Sequence, residues 1–158
     1  MKAASVHEIK KELSFLEAEK IQEACMRLVK YKKENKELLS YLLFEAHDEQ
    51  GYIESIKAEM ETEFQSIPNL NVYYVKKSLR RILRLVNRQI KYSGLPKTEV
   101  ELRIHFCRQT KEAGVPISKS TVLNNLYDQQ IKKINQALAK LPEDLQYDYQ
   151  HEIENLKN

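Results

Sequence analysis

The sequence predicts an all-α protein, and three observations carry that prediction. Glycine and proline are scarce, 3 and 4 in 158 residues, so few positions favour a turn over a helix. Long stretches consist of Leu, Glu, Lys, Ala, Gln and Arg, which lose little side-chain freedom on entering a helix. No alternating apolar pattern bounded by turn residues occurs, so no sheet is expected. The length suits one all-helical domain, 1–158, with enough chain to enclose a core.

Start and stop signals divide the chain into about eight helices. Ser5 and Glu8 form a Ser-x-x-Glu capping box for a short first helix, 6–13. Ser14 and Glu17 repeat the pattern and are expected to open a second helix, 15–33, with Leu16, Ile21, Ala24, Cys25, Leu28 and Val29 on one face. Asn35 is expected to cap a third, "KELLSYLLFEA", which leaves almost no polar face and reads as the central helix, buried all round.

The fourth helix, 50–66, spaces Ile53, Ile56, Met60, Phe64 and Ile67 for a core and turns Glu54, Glu59, Glu61 and Glu63 outward. "IPNLN" breaks the chain; Asn71 then caps a fifth helix that Gly94 ends in a left-handed conformation. Thr98 and Glu101 suggest a third capping box for a sixth helix, 99–113, closed by Gly114 and Pro116. Ser118 or Ser120 opens the seventh, 119–140, with an apolar stripe from Leu123 to Leu141, and Pro142 starts the last. Short connections make successive helices antiparallel neighbours, in a multi-helix bundle or a short stack of α-α hairpins.

Charge is distributed unevenly. The formal net charge is +3, yet eight of the 26 bases and none of the 23 acids lie between Pro68 and Thr98, leaving the remainder at −5. At about 100° per residue, Val72, Val75, Leu79, Ile82, Leu83, Val86 and Ile90 fill an apolar arc of the fifth helix, and the bases fill the arc beside it. The candidate anion- and nucleic-acid-binding residues are Lys77, Arg80, Arg81, Arg84, Arg88 and Lys91, with Lys76 at the margin and Tyr73, Tyr74, Asn87 and Tyr92 nearby. Such a stripe suits a phosphate backbone, because each neutralised phosphate releases counterions. The structural alternative comes from the preceding helix, which holds six acids and one base, Lys57, between Asp48 and Ser66. Its acidic flank is expected to lie against the stripe and discharge it, although surface pairs contribute only about 0–1 kcal/mol each.

Catalytic and metal signatures do not assemble. The histidines, His7, His47, His105 and His151, are scattered, and there is no His-Glu-x-x-His, Cys-x-x-Cys, glycine-rich phosphate loop or Gly-x-Ser-x-Gly. Asp148 with His151, Glu101 with His105, and Glu45, His47, Asp48 and Glu49 lack the paired repeats of a carboxylate-bridged metal bundle. No catalytic residue, metal or cofactor is therefore expected. Cys25 and Cys107 read as reduced, buried thiols, and "LQYDYQHE" as a half-buried docking edge of the last helix. No apolar run approaches the ~18 residues of a membrane span and no signal peptide is apparent, so a cytoplasmic protein without membrane contact is expected.

The opening "SVHEIKKELSFLEAEKIQEACMRLVKYKKENKELLSYLL", followed by "VYYVKKSLRRILRLV" with its Lys-Lys-x-Leu-Arg pattern, resembles a family of uncharacterised all-helical bacterial proteins over residues 1–90. The resemblance implies helices and no assigned activity. The functional expectation is a non-enzymatic helical interaction or scaffold module with a protein partner. The alternative is a nucleic-acid-associated protein that binds through the basic stripe.

Overall fold

Local chemistry places most of the helix ends. The computed structural model describes residues 1–158 and contains eight α-helices and no strand. These are α1 (Val6–Leu13), α2 (Ala18–Tyr31), α3 (Lys33–Ser40), α4 (Glu49–Gln65), α5 (Val72–Ser93), α6 (Pro96–Glu112), α7 (Thr121–Leu138) and α8 (Glu143–Lys157). A π turn, Tyr41–Glu45, follows α3, and a 3-10 turn, Ile117–Lys119, precedes α7. The contacts cluster into two compact units, Met1–Phe44 and Glu45–Asn158.

In the first unit, the Ser5 box forms as expected: Glu8 N–H donates to Ser5 Oγ at 3.3 Å and Ser5 N–H to Glu8 Oε2 at 2.8 Å. The Ser14 box does not form. Ser14 is helical, φ −68° and ψ −17°, whereas an N-cap requires extended backbone, and its hydroxyl donates backwards to the Lys11 carbonyl at 2.6 Å. Extended Glu17 instead precedes α2, without a side-chain cap.

Helix α2 stops at Lys32, whose extended backbone, φ −142° and ψ 144°, starts α3 three residues before the expected cap. Asn35, inside α3, donates from Nδ2 to the Leu28 carbonyl at 2.8 Å and so satisfies an acceptor in the last turns of α2. The expectation that this segment is the buried centre fails. Tyr41 is buried, but Leu42, Leu43 and Phe44 are 56%, 62% and 67% exposed, because three short helices supply too little chain to surround a fourth face.

The centre is in the second unit, and it is α6. This helix packs against α4, α5, α7 and α8, and every residue from Leu102 to Phe106 is buried, as is Cys107. Around it lie Ile53, Met60 and Phe64 of α4, Val75, Leu79, Ile82 and Val86 of α5, and Leu123 and Ile134 of α7. Phe64 and Phe106 meet at 5.6 Å between ring centroids, tilted by 54°. A helix enclosed by four others is a bundle, the first of the two expected architectures.

Caps frame this unit. Asp48 Oδ1 accepts from Gly51 N–H at 3.0 Å, and the carboxylate fills the space where a Cβ on Gly51 would stand, 2.3 Å from Oδ2. Asn71 Oδ1 accepts from Tyr73 N–H at 3.0 Å, and Gly94 closes α5 at φ 69°, the left-handed conformation that glycine adopts without strain. The Thr98 box does not form: Pro96 takes the first helical position, which makes Leu95 the N-cap and leaves Thr98 buried. Ser120, one of the two expected residues, caps α7 through Leu123 N–H at 3.4 Å.

Candidate functional site

Helix α5 separates its two faces as the sequence predicts. Val75, Leu79, Ile82, Leu83, Val86 and Ile90 are buried, while Lys77, Arg80, Arg81, Arg84 and Lys91 are exposed and Arg88 is half-buried. From Lys77 to Lys91 the stripe spans about 21 Å at 1.5 Å per residue. Tyr73, 64% exposed, starts the same line, with Tyr74 edge-on to it at 5.3 Å and 84°.

The expected discharge by α4 takes place at Arg81. Arg81 Nη2 lies 3.0 Å from Glu63 Oε2 and 3.4 Å from Ser66 Oγ. The other charges of α4 serve different positions. Asp48 caps its own helix, Glu49 accepts from the Ser93 and Thr98 hydroxyls, and Glu61 approaches His105 at 3.1 Å. Lys57, the one base of that segment, joins Glu54 at 3.1 Å and Glu101 at 2.8 Å. Lys77, Arg80, Arg84 and Lys91 therefore keep their charge facing solvent. Glu49 and Glu61 turn to α6, whose Thr98 and His105 are buried and need partners, whereas exposed arginines are served by water.

Beside the stripe, α5 and α7 enclose an open groove of about 650 Å³. Arg80 and Leu83 line it from α5, and Asn125, Asp128, Gln129 and Lys132 from α7. Asp128 accepts from Asn124 at 3.0 Å. The α7 residues recur at helical spacing on the face turned to α5, a signal that sequence reading passes over because none of them is a cluster by itself. Asn87, expected near the stripe, turns inward and accepts from Arg103 Nη1 at 3.0 Å.

The titratable groups of the second unit form internal networks. Arg103, buried in α6, donates from Nε to Glu99 at 2.8 Å and from Nη1 to Gln130 at 2.8 Å as well as to Asn87. Burial would raise the Glu101 carboxyl, but hydrogen bonds from Lys57 and the Tyr149 hydroxyl outweigh it and hold the group below its ordinary range. Burial pushes His105 below its ordinary value, against the opposing pull of Glu61. Burial also drives the Cys107 thiol up to about 12, which makes it inert. In the C-terminal "LQYDYQHE" stretch Tyr149 is buried and Glu152 accepts from Arg108 of α6 at 2.6 Å, while Tyr147, Asp148 and His151 are exposed. No three His, Cys, Asp or Glu side chains gather where they could hold a metal ion, and no helix is long and apolar enough to cross a membrane.

The first unit carries a different surface. Cys25, Leu28 and Val29 of α2 face Leu38 and Leu39 of α3 and Leu42 of the π turn around an open apolar groove of about 170 Å³. The chain that joins α2 to α3 is basic: residues 27–36 hold Arg27, Lys30, Lys32, Lys33 and Lys36 against Glu34, and Lys33 pairs with Glu37 at 3.5 Å. Cys25 is half-buried in the groove, so the sequence expectation of two buried thiols holds for Cys107 alone.

No family model, curated protein or solved structure matches this chain.

Proposed function

We propose that the chain is a non-enzymatic helical interaction module whose first unit receives an amphipathic helix from a partner protein. One observation carries the reading: thirteen of the nineteen exposed large apolar side chains lie within the first 44 residues, and α1, α2 and α3 bury no residue of their own. An apolar surface of this kind marks a contact site on a folded protein. The groove between α2 and α3 suits helix-in-groove recognition, in which apolar anchors at i, i+3, i+4 and i+7 fill a trough between two helices.

The charge of the segment that carries the groove selects the partner. With five bases against one acid along residues 27–36, and only Lys33 paired, to Glu37, this segment favours a helix whose apolar stripe is flanked by Asp and Glu. A second copy would bring the same basic segment, so a different protein is the better occupant.

The test is titration with two labelled amphipathic peptides of identical apolar stripe, one with acidic and one with basic flanks. The acidic peptide should bind the full chain, and a Leu28→Asp/Leu42→Asp variant should lose it. Equal binding of both peptides, or undiminished binding by the variant, would refute the reading. Concentration-dependent dimerisation in sedimentation, abolished by the same variant, would assign the groove to a second copy instead.

A further inference from the structure

We infer that the outer face of α5 is a binding site for single-stranded nucleic acid, held through its phosphate backbone. Lys77, Arg80, Arg84 and Lys91 are exposed, share one line along the helix and have no ion-pair partner. Of the acids that precede them in sequence, Glu63 meets Arg81, Glu61 approaches His105, Glu49 accepts from Ser93 and Thr98, and Glu54 meets Lys57. A helix that gathers bases three and four residues apart without acids among them works against its own stability, because neighbouring like charges repel. An anionic ligand removes that repulsion.

Three observations narrow the ligand. Between Lys76 and Lys91 the stripe offers no exposed large apolar side chain, so it lacks the anchor that a protein interface uses at its centre. The apolar arc of α5 is buried in the core, so the helix has nothing to insert into a lipid surface. Tyr73 stands exposed at the head of the line, one helical turn before Lys77, where an unstacked base can lie on its ring while the following phosphates run along the cations. Arg80 also borders the groove shared with Asn125, Asp128, Gln129 and Lys132; the amides lie within reach of base edges, and the Asp128 carboxylate, which accepts from Asn124, can accept from a base amine but not face a phosphate. Because the rest of the chain is net −5, its field turns an approaching polyanion towards this face.

The experiment is fluorescence anisotropy of the full chain with a labelled oligothymidylate or oligouridylate, a duplex of equal length, and anionic vesicles containing phosphatidylserine. Single strands should bind best, and log K should fall with log salt at a slope near −3, about 0.7 for each of four phosphates. Arg80→Glu/Arg84→Glu should weaken binding at least tenfold at unchanged circular dichroism, and Tyr73→Ala about fivefold or more. Charge reversal at the exposed Lys140, off the stripe, should leave affinity within twofold. No binding at about 50 mM salt, preference for the duplex or for the vesicles, or full affinity in the double variant would each overturn the inference.

Discussion

Two helical segments of this chain divide apolar character and burial in opposite ways. The segment from Leu38 to Phe44 has five large apolar or aromatic residues beside Ser40 and Tyr41, yet Leu42, Leu43 and Phe44 lie open to solvent. Helix α6 carries Glu99, Glu101, Arg103 and His105 in seven positions, and it is the centre of its bundle. The difference lies in what surrounds each of them. Four helices pack on α6 and bring partners to its polar groups: Asn87 and Gln130 for Arg103, and Lys57 and Tyr149 for Glu101. Burial is a property of the neighbourhood, and polar side chains tolerate it when hydrogen bonds replace water.

The contrast can be broken, and the largest effect should come from the two thiols. Cys107 sits in α6 with no exposed surface, so its modification requires opening of the bundle, whereas half-buried Cys25 lines the apolar groove of the first unit. An aromatic disulfide reagent should label one thiol per native chain and two in denaturant, with rates separated by about 10³-fold or more. Rapid native labelling of both would show that α6 is not the closed centre.

Next in size is Arg103→Ala, which strands Glu99, Asn87 and Gln130 and should cost about 3–5 kcal/mol in urea unfolding. A loss below about 1 kcal/mol would mean that the network is dispensable.

Acid should act through the same helix in two stages. His105 titrates below its ordinary 6.5 in the folded chain, so the unfolded chain takes up a proton first and stability begins to fall as pH drops below about 6.5. Glu101 titrates below its ordinary 4.5, so its contribution is present above 4.5 and disappears as pH falls through the lower folded value. His105→Gln should remove the first stage and Glu101→Gln the second, the latter also costing about 1–3 kcal/mol at neutral pH. Urea midpoints measured against pH separate the two, and an unchanged profile in both variants would discard this assignment.

The smallest effect should come from the most apolar segment. Leu42→Ser and Phe44→Ser should each shift urea stability by no more than about 0.5 kcal/mol, because little water-free contact is lost at either position. A cost above about 2 kcal/mol would show that the segment is covered in solution.

The same contrast explains what was legible in the sequence. The boundaries of α5 were, because Asn71 and Gly94 act locally and its six core residues obey the helical period without interruption. The Ser5 box was legible for the same reason, but the identical spacing at Ser14 was not informative, since backbone conformation at the preceding turn decides whether a serine points forward or back. The centre of the bundle was misplaced because periodicity counts apolar residues and cannot see that Arg103 and His105 meet partners from other helices. For the candidate site, the line of bases was visible and the fate of its acidic neighbours was not. Which acid meets which base depends on helix packing: Glu61 approaches His105, while Glu63 takes Arg81.

The lopsided charge of α5 also governs how the protein behaves as a colloid. An ion-exchange resin senses the nearest patch and not the sum, so a face holding Lys77, Arg80, Arg84 and Lys91 should be retained on a cation exchanger even near the pI of 8.7. The acidic remainder should let the same molecule adsorb to an anion exchanger in the opposite orientation, making net charge a poor guide to its chromatography.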